Sequence, residues 1–335
     1  MKKLLYFGEG TRREEAYKNL PVPNRVQLAN PSRYTADPGL VDAANVALLL
    51  GQPLLLTGEA GTGKTQLAYS LAWELGLDEP FKFETKSNSM ARDLFYTYDA
   101  LRRFQDAQSD TKPENILPYL TYQALGIAIL RSRLWEDNAN LVEDDSLRPA
   151  EPTRSLVLID EIDKAPRDFP NDILNEIENM YFRIPEMGNL KVEADPKLPP
   201  IVVITSNSEK DLPDAFLRRC VYYNVPFPDK ERLRMIVSNR LGMYVGGSNR
   251  FIDDALDLFF ALREDGVGLR KKPSTAEMLG WLLALKDMSS ETDNPLADGS
   301  LVMSTLSVLI KNKLDENDQK NVTEAVDRWL MARPG

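Results

Sequence analysis

The sequence contains no histidine and a single cysteine, Cys220, among its 335 residues. The first absence excludes Ser-His-Asp and Cys-His catalysis and every imidazole metal site. The second excludes an intrachain disulfide and a cysteine-built zinc centre. Long apolar runs are missing too: no stretch approaches the ~18 residues that a membrane span needs. After the basic start Met1-Lys2-Lys3, the apolar stretch Leu4 to Phe7 is too short for a secretory signal. These features predict a soluble, cytoplasmic protein. Positive charge is in deficit, with Lys+Arg 41 against Asp+Glu 51 and a formal net charge of -10. That balance disfavours broad nonspecific nucleic-acid binding, although a local basic groove would still permit contact. Any reaction must therefore run on carboxylates, Lys and Arg, hydroxyls, backbone amides or a bound cofactor.

Short apolar runs alternate with helical patterns. Leu54–Leu56, Leu156–Ile159 and Ile201–Ile204 read as strands buried on both faces. Phe81–Glu84 alternates, as a strand with one covered face does, and Cys220–Val225 is a fifth candidate. Helices are predicted over Thr65 to Leu75, with Leu67, Leu71 and Leu75 on one face and Gly76 as the stop, and over Asn171 to Tyr181. Strands alternating with helices predict an α/β domain with a mostly parallel, five-stranded sheet. After Pro226-Phe227-Pro228 only helical periodicity remains, as in Ile252 to Leu262 and Met278 to Leu285. The expected organisation is an N-terminal arm (1–30), an αβ core (31–228) and an all-helical lid domain (229–335). Within the core, 98–153 reads as an insertion containing a polar segment (Asp106 to Glu114), an apolar helix (Ile116 to Trp135) and an acidic loop (Glu136 to Ser146). Residues 181–197 read as a β-hairpin turning near Gly188-Asn189. Tyr119, Leu120, Tyr122, Leu125 and Ile129 are expected to form a packing face of the inserted helix, and Cys220 to be a buried small residue.

Two motifs carry chemistry. Gly58-Glu59-Ala60-Gly61-Thr62-Gly63-Lys64-Thr65, followed by Gln66, matches the phosphate-binding pattern G-x-x-x-x-G-K-S/T. The glycines let backbone N–H groups curl around an anion, Lys64 offers a point charge to terminal phosphates, and the Thr65 hydroxyl can ligate Mg²⁺. A buried strand precedes the loop and a helix follows it, so the positive helix end faces the same phosphates. The second motif is the apolar strand that ends in Asp160-Glu161. Two carboxylates at a buried strand end are costly unless something uses them. Asp160 suits the surroundings of Mg²⁺, and Glu161 suits a base that polarises an attacking water.

These motifs, with the polar end of the strand at Thr205-Ser206-Asn207 and with Arg218-Arg219-Cys220, resemble the AAA+ ATPases in order and approximate spacing. Within that superfamily the chain is similar to the MoxR group. The likeness lies in the approach Leu40 to Leu56, in Asp93-Leu94-Phe95-Tyr96-Thr97-Tyr98-Asp99, and in Leu212-Pro213-Asp214-Ala215-Phe216-Leu217-Arg218-Arg219. It spans roughly Pro31 to Trp329. The resemblance implies a Mg²⁺-dependent ATPase that assembles into a ring, expected to be hexameric, and remodels or activates a partner protein. It also implies that Asn207 is a sensor of the terminal phosphate or the water. Arg219, with Arg218 as fallback, would be an arginine finger serving the neighbouring subunit. Partners bearing a von Willebrand factor A-type domain are implied as well, and the hairpin and the insertion would be the elements that grip a partner. The arginine that such lids carry at a helix start is missing. The matching position falls near Thr275, behind a Ser274-x-x-Glu277 capping box, and Arg270, Lys271 or Lys272 are the substitutes at hand.

Two rivals remain open on the sequence. One is a nucleic-acid motor of the McrB type, for which Arg102, Arg103, Arg131 and Arg133 are candidate contacts. The other is a scaffold that binds ATP and barely turns it over, against which the intact Asp160-Glu161 pair and Arg219 argue.

Overall fold

The computed structural model describes Leu5, Lys18, Leu20, Pro21 and residues 28–108, 115–143, 145–207, 212–245, 249–289, 294–311 and 316–332. Most of the N-terminal arm, and the polar segment after Gln108, lie outside the described residues. The chain divides into two compact units. One holds Ala36–Glu59 and Lys64–Pro226; the other holds Met1–Thr35, Ala60–Gly63 and Phe227–Gly335.

The first unit is built on a sheet of five strands, β1 (Leu54–Thr57), β2 (Phe81–Glu84), β5 (Leu156–Asp160), β8 (Ile201–Thr205) and β9 (Val221–Asn224), in the order β2-β5-β8-β1-β9. Every pairing in it is parallel. All residues of β1 and β5 are buried, as continuous apolar runs between two helical layers should be. The edge strand β2 alternates, half-burying Phe81 and Phe83 and exposing Lys82 and Glu84. Cys220 lies just before the other edge strand. It is half-buried rather than fully buried, and burial pushes its thiol up to about 12.

Helix α1 (Pro38–Leu50) begins at Asp37, whose carboxylate accepts from the Gly39 N–H at 3.0 Å, and ends at Gly51 in the left-handed region (φ 64). Helix α2 (Lys64–Glu74) buries Leu67, Ala68 and Ala72, and Gly76 stops the chain behind it at φ 68. Leu75, expected on the buried face, is exposed, because the helix ends one residue before it.

Two sequence expectations fail here. The apolar stretch Ile116 to Trp135 is not one helix. Leu120–Tyr122 forms strand β4 and pairs antiparallel with β3 (Tyr96–Tyr98), and only Ala124–Ser132 is helical (α4). Pro118 interrupts the helical ladder; Tyr119 reaches the core from a tight helical turn over Leu117–Tyr119 and Tyr122 from strand β4, while Leu125 and Ile129 reach it from the helix. Helix α3 (Ala100–Gln108) follows β3. The second failure is Asn171 to Tyr181. It splits into Phe169–Asp172 and Leu174–Asn179, and left-handed Met180 (φ 46) turns the chain so that Tyr181 opens strand β6 (Tyr181–Ile184). Strand β7 (Leu190–Glu193) returns antiparallel to β6. The rings of Phe95, Tyr96 and Tyr122 all lie within about 6 Å of Phe182, a distance at which aromatic pairs attract.

The second unit is helical in its described residues: α5 (Lys230–Val245), α6 (Asn249–Arg263), α7 (Thr275–Met288), a short turn of helix at Gly299–Thr305, and α8 (Glu316–Ala332). Its own core gathers Leu233, Val237, Phe251, Phe259, Leu282 and Val326, all essentially inaccessible to solvent. Trp281 is fully buried there, and its indole N–H donates to the Thr305 hydroxyl at 2.9 Å. The capping box forms: Ser274 Oγ accepts from the Glu277 N–H at 3.3 Å, and Glu277 Oε2 accepts from the Ser274 N–H at 2.7 Å. Just before it, Arg270 and Lys271 are exposed, and Lys272 is paired with Asp265 at 2.6 Å.

Candidate active site

Register places the chemistry on one edge of the sheet. Leu56 lies opposite Thr205, Ile159 opposite Ile204, and Glu84 opposite Asp160. The phosphate loop leaves β1, Asp160-Glu161 leave β5, and Thr205-Ser206-Asn207 leave β8, all at the carboxyl ends of parallel strands. Open α/β sheets bind ligands along that edge.

The loop has the conformation its glycines were expected to permit. Gly58 sits at φ 130, and a Cβ there would lie 2.5 Å from the Val225 carbonyl oxygen. Only glycine fits both demands. Lys64 is buried, and its ammonium donates to the carbonyls of Gly58 (2.8 Å) and Glu59 (2.9 Å). Burial lowers its pKa, and the negative charges of Asp163, Asp160, Glu161 and Glu59 oppose that shift. The cation is thus folded into its own loop among carboxylates. Gln66 keeps a buried side-chain oxygen with no hydrogen-bond partner. Glu59 and the tip residues Ala60, Gly61, Thr62 and Gly63 complete the loop, with Gly61 and Gly63 also at positive φ.

Asp160 is the hub. Its Oδ1 accepts from the Thr65 hydroxyl (2.9 Å) and from the Thr205 hydroxyl (2.6 Å), and its Oδ2 lies 3.0 Å from the Lys82 ammonium. Burial alone would raise its pKa. The bonds from Thr205, Lys82 and Thr65 outweigh burial and hold the carboxyl below its ordinary value. Glu161 follows in the left-handed region (φ 58), a strained place for a side chain that carries a Cβ. Its N–H donates to Thr205 Oγ1 at 2.9 Å, so one hydroxyl fixes both carboxylate residues. The Glu161 side chain accepts from Asn207 Nδ2 at 3.1 Å through one oxygen and pairs with the Lys164 ammonium through the other. Asn207 is itself held by Asp163, whose buried Oδ1 accepts the Asn207 N–H at 3.0 Å.

Thr65, Asp160, Glu161 and Asn207 are therefore joined through hydrogen bonds, with Lys64 next to Thr65 in the loop. Arg218 and Arg219 do not join it. Arg218 is exposed, and Arg219 donates to Glu178 (2.9 Å) and to the Ala215 carbonyl (3.2 Å). Four contributors escaped the sequence reading of the site. Thr205 and Asp163 were visible beside the motifs, but only register shows that they reach them. Lys164 stands three residues past Glu161, and Lys82 comes from a strand whose neighbour the sequence does not announce.

The donor set suits Mg²⁺. Thr65 and Asp160 offer hard oxygens, and among the described residues no group of three or more His, Cys, Asp or Glu could enclose a metal ion. Mg²⁺ is characteristically held that way, through one or two protein oxygens with phosphate and water filling the rest. Among the described residues no helix is long and apolar enough to cross a membrane.

Residues 53–220, half of the chain, match the family model of the AAA domain, dynein-related subfamily. No curated protein matches. Among solved structures, the RuvB Holliday junction branch migration motor from Thermotoga maritima is 16% identical over 89% of this chain and 74% of its own, with a TM-score of 0.44. The FIGL-1 AAA domain in complex with ADP is 14% identical over 96% of this chain and 98% of its own, with a TM-score of 0.44. These two likenesses are too distant to bear on the assignment, which rests on the matched domain. The chain belongs to the AAA family, in its dynein-related subfamily, and is an ATPase that uses ATP with Mg²⁺.

Proposed function

We propose that the chain is a ring-forming, MoxR-type ATPase that couples ATP hydrolysis to the remodelling or activation of a partner protein. The observation that carries the reading is the single network joining Thr65, Asp160, Thr205, Glu161 and Asn207 at the mouth of the phosphate loop. In this reading Lys64 and the amides of Gly58–Thr65 hold the phosphates. Thr65 and Asp160 would hold Mg²⁺, which when bound offsets phosphate charge. Glu161 accepts a proton as water attacks the γ-phosphorus and the bond to the β-phosphate oxygen breaks, releasing ADP and phosphate. Asn207 holds the Glu161 carboxylate in place. The helical unit from Asp229 onward acts as the lid, and one of Arg270, Lys271 and Lys272 stands in for its missing arginine. The β6–β7 hairpin and the segment from β3 to α4 are the surfaces that meet the partner. A protein with a von Willebrand factor A-type domain is the partner class this subtype implies.

Arg219 is assigned to the active site of a neighbouring copy. Within its own chain it makes a half-exposed ion pair with Glu178, worth on the order of 1 kcal/mol or less, so releasing it costs little. The test is complementation. Arg219→Ala should lower turnover by about 10³-fold and keep ATP binding. Mixing it with inactive Lys64→Ala subunits should restore activity, because each Lys64→Ala copy still offers Arg219 to a neighbour. Mixtures as inactive as their components would contradict a shared site.

A further inference from the structure

Lys82 stands on the edge strand β2, two residues before Glu84, and the strand period puts both on one face. Register sets Glu84 directly opposite Asp160 and Lys82 opposite Leu158. Two carboxylates facing each other across a strand pair repel. The Lys82 ammonium lies between them, 2.8 Å from Glu84 Oε1 and 3.0 Å from Asp160 Oδ2. That contact does more than balance charge. Both hydroxyls that bind Asp160 use Oδ1, so Lys82 has Oδ2 to itself among the bonds described. Oδ2 is the oxygen left for a metal ion or its water shell. A positive charge at 3.0 Å both occupies that oxygen and repels a dication brought to it. The lysine side chain is 30% exposed, so its head can swing to water when a competitor arrives, whereas Asp160, 11% exposed, cannot follow.

We propose that Lys82 sets the divalent-metal affinity of the site, acting as a built-in monovalent occupant of Asp160 Oδ2 that the hydrated metal must share or displace. The proposal rests on the reading of Asp160 as the metal-holding carboxylate. It makes Lys82 a positioning residue and not a catalytic one. The consequence is a nucleotide site whose grip on ADP depends less on Mg²⁺ than Thr65 and Asp160 alone would make it, which eases product release.

The readout is binding, not turnover. Fluorescent ADP is titrated against the full-length protein in EDTA and in saturating Mg²⁺, and the ratio of the two dissociation constants gives the metal coupling. For Lys82→Met the ratio should rise about tenfold, in the range that outer-shell partners of metal ligands command. Lys82→Gln should behave alike and serves if the methionine variant does not fold. Lys82→Arg, which keeps the charge, should stay at the wild-type ratio. Lys82→Met/Glu84→Gln should match Lys82→Met, since freeing Asp160 is the cause. A ratio unchanged in both neutral variants overturns the proposal. So does a rise that vanishes when Glu84 is also neutralised, because Glu84 would then be the new ligand. Asp160→Asn separates the two layers: its ratio should collapse towards one. If it keeps the wild-type ratio, or if wild type shows no coupling, the metal assignment of Asp160 itself fails and the proposal falls with it.

Discussion

Glu161→Gln should lower ATP turnover by about 10²–10⁴-fold while Mg·ATP binding stays within a few-fold of wild type. The substitution is nearly isosteric. It keeps an oxygen for Asn207 Nδ2, which now bonds one carboxylate oxygen at 3.1 Å, so Asn207 is not set loose. The backbone strain at Glu161 (φ 58) and the N–H bond to Thr205 are untouched, because neither involves the side chain. What disappears is the basic oxygen that, in the proposed mechanism, takes a proton from water. The pair with Lys164 is lost as well, but both partners are 40% exposed or more, so its contribution to stability is small. Rapid-mix binding with a fluorescent ATP analogue and steady-state phosphate release separate the two effects. Loss of binding together with turnover would mean that Glu161 holds the loop rather than activating water.

Thr205→Val should lower stability and turnover together. Thr205 is 1% exposed, and its hydroxyl donates to Asp160 at 2.6 Å while accepting from Glu161 N–H at 2.9 Å. Valine fills the same volume and makes neither bond. A bond to a charged group is worth ~1.5–3 kcal/mol, and a buried donor left without a partner costs ~1–3 kcal/mol. A net loss of about 2–4 kcal/mol follows, with a Tm lower by several degrees. Turnover should fall about 10–100-fold, since the shared tether of both carboxylates is gone, and Thr205→Ser should recover most of both losses. The stability loss carries a pH signature. The folded-state pKa of Asp160 is held below its ordinary 3.8, so the stabilisation it contributes is fully present above that value and is lost as pH falls through the lower folded-state pKa. The gap in stability between wild type and Thr205→Val should therefore be widest near neutrality and narrow in acid. Thermal melts without Mg²⁺ check this, and a gap independent of pH would contradict the assigned role of the Asp160 bond.

The sheet was legible because its signals are local. Runs such as Leu156–Ile159 are short, apolar and rich in β-branched residues, which favours a buried strand, and the loop Gly58–Thr65 needs its glycines whatever surrounds it. The segment Ile116 to Trp135 was misread for a physical reason. Its apolar residues satisfy a helical period by chance of spacing, while the pairing of Tyr122 with Tyr96 that overrides it lies 26 positions away in the chain. Met180 is similar: nothing in a methionine announces a left-handed turn, which the chain adopts so that β6 can pair with β7. At the site, residue types that do chemistry were readable, but their partners were not. Thr205 and Lys82 act on Asp160 only because β8 and β2 flank β5, and strand order is a property of the whole fold. That is why the candidate residues Lys64, Thr65, Asp160, Glu161 and Asn207 were visible in the sequence and the neighbours that contact Asp160 were not.

Phosphate release from ATP by the purified protein and by Lys64→Ala, side by side at matched concentration in Mg²⁺, tests the central claim most directly. Wild type should turn over ATP, and the variant should fall to background, because the only lysine donating into the Gly58 and Glu59 carbonyls among the described bonds is gone. Equal turnover in the two proteins would contradict the assignment of this loop as the site of hydrolysis.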